Sequence, residues 1–138
     1  MKISVITVSY NSAATIVDTV DSVLAQTHPE VEYLIIDGGS TDSTLAKLEP
    51  YRERIDAMLS EPDQGMYDAM NKGIARATGD VVAILNSDDV YANTEVLAHV
   101  AEVFETAKVD CVYGDLQYVS PDLTRVVRDW QSGAVPKA

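Results

Sequence analysis

Residues 81–91 read VVAILNSDDVY, an apolar run that ends in Asn86, Ser87, Asp88 and Asp89. Five apolar residues in a row, 81–85, predict a strand buried on both faces. The polar cluster then falls where a parallel strand leaves its sheet, the edge at which open α/β sheets bind ligands. Adjacent carboxylates repel and prefer water, so their position at a buried strand's mouth points to a bound cation. A turn with a helix cap would use the same residue types, and this stretch alone leaves both readings open.

Outward from that run, strand-like and helix-like segments alternate, the pattern of a largely parallel sheet covered by helices. Residues 3–9 read as the first strand, and Asn11 or Ser12 can cap a helix with Ala13, Ile16, Val17, Val20, Val23 and Leu24 at helical spacing. Residues 31–37 form the second strand; Gly38 and Gly39 turn, and Ser40 or Thr41 can cap a short helix that stops near Pro50. A weak third strand over 57–60 and a loop over 62–65 lead into a helix from Met66, with Ala69, Met70, Gly73, Ile74 and Ala77 on one face and Gly79 as its stop. After the fourth strand, a helix over about 94–107 should bury Val96, Leu97, Val100, Val103, Phe104 and Ala107. Residues 111–119, a turn at Ser120, Pro121 and Asp122, and residues 124–130 suggest an antiparallel pair. The fold class is α/β, a mostly parallel open sheet with helices on both faces, and the 138 residues suit one domain.

The balance of 22 acidic against 10 basic residues, net charge −12, argues against nucleic acid or an anionic membrane surface as the main partner. A phosphate-bearing ligand would need a divalent cation, a helix N-terminus or backbone N–H groups. Cys111 is the one cysteine, which excludes an internal disulfide and a thiolate metal site, and its place in the strand-like run 109–113 predicts a small core residue. No signal peptide or membrane-spanning run is evident, so a cytoplasmic setting is expected, with peripheral attachment at the inner face of a membrane open to a longer parent. His28 and His99 lack metal-ligand partners at useful spacing and read as surface residues. Lys72 and Arg76 fit a solvated helix face better than a phosphate site, and Trp130 reads as core packing.

Four polar clusters should meet at the carboxyl edge of the sheet: Tyr10 with Asn11, residues 37–42, residues 64–68 and residues 86–89. The segments carrying them, SVITVSYNSAATI, LIIDGGSTDST and EPDQGMYDAMNKGIARATGDVVAILNSDDVY, together resemble glycosyltransferase family 2, nucleotide-sugar-dependent enzymes of the GT-A fold. The resemblance covers about residues 1–115. It implies a sugar transferred from a nucleotide-sugar donor, UDP-sugar first, to a sugar, glycan or lipid-linked acceptor with inversion, as in polysaccharide biosynthesis.

The resemblance also implies roles. Asp37 matches the acid that hydrogen-bonds the nucleotide base, as a carboxylate at a strand end can. Tyr10 and Asn11 match positions lining base and ribose; Gly65, Asn71, Asn86 and Ser87 join the nucleotide-binding set, Asn71 with an orienting role equally open. Asp88, with Asp89 beside it, matches the acid that holds Mn²⁺ or Mg²⁺ against the diphosphate, where the cation neutralises the leaving group. Asn86 stands where the family has its first acid, which leaves the ligand set open. Asp110, Asp115, Asp122 and Asp129 do not match the motif of the family's general base, so the base is expected beyond Ala138, with the acceptor half of the protein. A non-catalytic nucleotide or nucleotide-sugar-binding module is the alternative, and a homo-oligomer is compatible with either.

Overall fold

The computed structural model describes residues 1–133. Its contacts divide the chain into two compact units, Met1–Ala101 and Glu102–Ala138.

The first unit is built on a parallel sheet in the order β3-β2-β1-β4, from β1 (Ile3–Ser9), β2 (Val31–Asp37), β3 (Ala57–Ser60) and β4 (Val81–Ile84). Every residue of β1 is buried, because it lies between two strands and beneath helices on both faces. Ile3, Val5, Tyr33 and Ile35 point to one face, where they pack with Ile16, Val20 and Val23 of α1 (Ile16–Leu24), Leu48 of α2 (Thr44–Leu48) and Leu97 and Ala101 of α4 (Val96–Ala107). Ile6, Val8, Leu34 and Ile36 point to the other, against Ala69 of α3 (Met66–Ile74). Each such aliphatic side chain contributes roughly 1.5–3 kcal/mol when fully buried, so the two-sided runs of β1 and β2 dominate the core.

The central apolar run departs from expectation. β4 alternates instead of being buried throughout: Val82 and Ile84 remain 40% exposed, while Leu85 just beyond it is buried. As an edge strand it pairs only with β1 among the described residues, and Val82 and Ile84, opposite Ser4 and Ile6, lie on the α3 face beyond that helix's cover.

Tertiary hydrogen bonds move the helix boundaries. Asn11, at φ 48°, accepts the Thr41 N–H on Oδ1, and Ser12 Oγ faces Ser87 Oγ at 2.7 Å, so neither caps α1, which begins only at Ile16. Asp42, not Ser40 or Thr41, steadies the start of α2 by accepting the Thr44 N–H and hydroxyl. Pro50 falls in the first turn of a 3-10 helix, Glu49–Arg54, where its missing N–H is harmless. α3 stops at Ile74 rather than Gly79, because the next turn is claimed by Glu32: its carboxylate accepts the N–H and hydroxyl of Thr78 and the hydroxyl of Ser4, with Lys2 Nζ 3.6 Å away. Those bonds outweigh burial and hold Glu32 down at about 2.

In the second unit, β5 (Leu116–Val119) and β6 (Val126–Trp130) form the expected antiparallel pair, shorter than the sequence suggested. The turn between them is fixed by Asp122, which accepts bonds from Ser120 and Thr124. Both strands are exposed along their length. Two expectations fail here. Residues 109–113 form no strand and Cys111 is exposed, and Trp130 is 49% exposed with the Arg128 guanidinium 4.8 Å from its ring centroid instead of in a core. A two-stranded ribbon offers too little apolar surface to bury either. The helix α4 buries Leu97 and Ala101 but leaves Val103 and Ala107 exposed. No helix among the described residues is long and apolar enough to cross a membrane.

Candidate nucleotide site

At the carboxyl edge of the first unit's sheet lies a cleft of about 760 Å³, a volume typical of small-molecule sites. Val8, Ser9 and Tyr10 come from the end of β1, Gly38 and Gly39 from the turn after β2, Pro62, Asp63 and Gly65 from the loop after β3, Met66 and Ala69 from α3, and Asn86, Ser87 and Asp88 from the end of β4. Parallel strands bring these ends together, so residues up to about eighty positions apart in sequence share one wall.

Of the residues expected at the site, Tyr10, Gly65, Asn86, Ser87 and Asp88 line the cleft. Tyr10 is 62% exposed, a free aromatic face at the rim. Ser87 is held by its carbonyl, which accepts the Thr15 hydroxyl at 2.8 Å, and Gly65, at φ 110°, opens α3 onto the cleft. Asn11, Asp37, Asn71 and Asp89 are not on its wall. Asn11 is spent tying the first loop to residues 40–42, through Oδ1 and an N–H that donates to Ser40 Oγ. Asn71 is exposed on α3. Asp89 donates its N–H to the Asn86 carbonyl and accepts the Thr19 hydroxyl on its own, while burial and the neighbouring Asp88 charge push its carboxyl above the usual range.

Asp37 is fully buried and saturated. Its Oδ2 accepts the N–H groups of Gly39 (3.1 Å) and Ser40 (2.8 Å) and the Ser60 hydroxyl (2.8 Å), and its Oδ1 accepts the Ser40 hydroxyl (2.5 Å). It shapes the turn beneath the cleft and is not itself on the cleft wall. Asp63, absent from the sequence-derived set, does line the cleft. An Asp two residues before a Gly at a strand end was visible in the sequence but looked like loop chemistry alone.

Two polar atoms in the wall, Ser9 Oγ and Asn86 Oδ1, are buried without a hydrogen-bond partner. Buried polar groups are rarely left so, and both belong to residues that line the cleft. Among the described residues no three His, Cys, Asp or Glu side chains gather into a metal site. The donors present, one carboxylate from Asp88 and the vacant Oδ1 of Asn86, nevertheless suit a hard cation that takes most of its oxygens from water and a diphosphate. Positive character comes also from the first turn of α3, whose loop is fastened from behind by Lys72, 3.1 Å from Glu61 and 3.5 Å from Asp68. Lys72 is thereby committed to carboxylates, not to a phosphate.

Residues 4–136 match the family described as Glycosyl transferase family 2. An uncharacterized glycosyltransferase of Nostoc sp. is 41% identical over 112 residues, 79% of this chain and 34% of the relative. A PGL/p-HBAD biosynthesis glycosyltransferase of Mycobacterium bovis is 38% identical over 117 residues, 82% of this chain and 46% of the relative. Among solved structures, S. aureus TarS in complex with UDP-GlcNAc superposes with a TM-score of 0.69 at 33% identity, covering 76% of this chain and 31% of that one. The mannosyltransferase PcManGT of Pyrobaculum calidifontis, in complex with GDP-Man and Mn²⁺, gives 0.70 at 25% identity, covering 86% and 35%. The chain thus spans between a third and a half of the length of these curated relatives.

Proposed function

The chain belongs to glycosyltransferase family 2 and has the GT-A fold, and from that premise we propose that its cleft holds the nucleoside diphosphate of a sugar donor. The unsatisfied Asn86 Oδ1 beside Asp88, at the carboxyl edge of the sheet, is the observation that carries this reading. An acidic protein with no Lys or Arg on the cleft wall needs another source of positive charge for a diphosphate. Asp88 would hold Mn²⁺ or Mg²⁺, which supplies neutralisation of the leaving diphosphate. Asn86 would orient a water or hydroxyl in the same shell, and the α3 N-terminus would face the phosphates. Tyr10 would cover the base or ribose at the rim.

The donor would be a UDP-sugar, in keeping with TarS and its UDP-GlcNAc, and transfer would invert the anomeric centre as an acceptor hydroxyl displaces the diphosphate. The acceptor would be a sugar, glycan or lipid-linked saccharide. No described acid stands out as its base: Asp115 accepts two bonds from Ser132, and Asp122 is bound in its own turn.

Calorimetry with UDP in Mn²⁺ tests the reading. Binding should be lost in excess chelator and in Asp88→Asn, while the fold persists by circular dichroism. Equal affinity with and without chelator would remove the metal from the site.

A further inference from the structure

Resting on the nucleotide reading above, we infer that Asp63, and not Asp37, is the acid that selects the base, by accepting a ring N–H of uracil or guanine. Asp37 is fully buried, lies off the cleft wall and already accepts four hydrogen bonds from its own and neighbouring turns. Asp63 is differently placed. Asp63 lines the cleft; its Oδ1 accepts the Gly65 N–H at 2.9 Å, while its Oδ2, beside the cleft-lining Gly38, has no hydrogen-bond donor among the described residues. Gly38 makes room for that oxygen: a Cβ on residue 38 would sit 2.7 Å from Asp63 Oδ2.

The placement along the cleft agrees with a nucleotide's length. Asp63 follows β3 and Asp88 follows β4, the two outer strands of the order β3-β2-β1-β4. Three strand spacings separate those strands, about 14 Å. That is the reach from a metal-bound diphosphate to the far edge of its base. Ser9, on β1 between these ends, lines the cleft and has a buried hydroxyl without a hydrogen-bond partner.

A carboxylate only accepts hydrogen bonds. It therefore favours bases with a ring N–H on their pairing edge, uracil and guanine, and opposes cytosine and adenine, which turn a ring lone pair toward it. Asp63→Asn keeps an Oδ1 for Gly65 and places an amino group where Oδ2 stood, reversing that preference.

Calorimetry in Mn²⁺ with UDP, GDP, CDP and ADP, on the native protein and on Asp63→Asn, decides the point. The native protein should favour UDP or GDP over CDP and ADP by about ten-fold or more, and the variant should lose about ten- to a hundred-fold for the favoured nucleotide while gaining for CDP. The native protein should also reject N3-methyl-UDP, whose ring N–H is blocked, a measurement that needs no variant to fold. An unchanged UDP-to-CDP ratio in Asp63→Asn, native binding of all four nucleotides alike, or native binding of N3-methyl-UDP as tight as UDP would overturn the assignment while the nucleotide site stood. Failure of the native protein to bind any of the nucleotides would overturn the site and the assignment together.

Discussion

The turns after β2 and β3 are locally alike: each has an Asp whose carboxylate accepts the N–H of a glycine two residues on, and each of those glycines has a positive φ, 83° at Gly39 and 110° at Gly65. Their acids nevertheless have opposite fates. β2 is interior, so Asp37 lies under neighbouring loops, with Ser40 and Ser60 donating to it. β3 is an edge strand, and Asp63 lines the cleft with only one of its oxygens hydrogen-bonded. A strand's place in the sheet decides whether the acid after it builds the site or faces the ligand.

The contrast predicts different losses on truncation. Asp37→Ala strips two backbone N–H groups and two hydroxyls of their acceptor in a dry site and should cost on the order of 3 kcal/mol in urea denaturation. Asp63→Ala removes one bond in a loop and should cost less than about 1 kcal/mol, so its effect appears in binding instead. Equal destabilisation by the two would erase the distinction.

Glu32, near the opposite end of β2, is a second saturated acid and extends the comparison to pH. Its folded-state carboxyl is held at about 2 against an ordinary 4.5, so its stabilisation is complete above pH 4.5 and is lost as pH falls toward 2. The loss should be on the order of 1–3 kcal/mol, and Glu32→Gln should flatten that part of the acid-unfolding curve. A slope in this window unaffected by the substitution would show that other groups drive acid unfolding.

The smallest effect separates the two glycines. Alanine at either position meets backbone strain of about 1–3 kcal/mol, but at Gly39 its Cβ would also lie 3.3 Å from the Pro62 nitrogen, whereas at Gly65 it meets nothing within 4 Å. Gly39→Ala should therefore melt at the lower temperature. The reverse order would mean that conformational strain at Gly65 outweighs the crowding around Gly39.

Much of the fold was legible because it rests on local signals. The limits of β1, β2 and β3 follow the apolar runs residue for residue, and Gly65 and Asp88 fall where a strand-loop-helix reading puts them. Helix ends were less legible. Asn11 and Ser12 have the chemistry of caps, but partners far away in the chain, Thr41 and Ser87, claim their side chains. Gly79 looks like a helix stop, yet the helix ends at Ile74 because Glu32 captures Thr78. Cys111 and Trp130 sit among apolar residues that suggested a core, but Cys111 precedes β5 outside any strand and Trp130 ends a two-stranded ribbon too thin to bury it.

The sequence by itself determined the alternation of strands and helices, the polar clusters at the strand ends, the acidic charge that calls for a cation beside any diphosphate, and the family. These depend on periodicity and residue type, which are properties of neighbours in the chain. Only the tertiary structure decided that β4 is an edge with one bare face, that Asp37 is sealed while Asp63 is open, and that Ser9 and Asn86 bring unpaired oxygens to one cleft. Whether a polar atom is satisfied depends on donors brought in from other strands, and strand order is fixed by packing across the whole sheet.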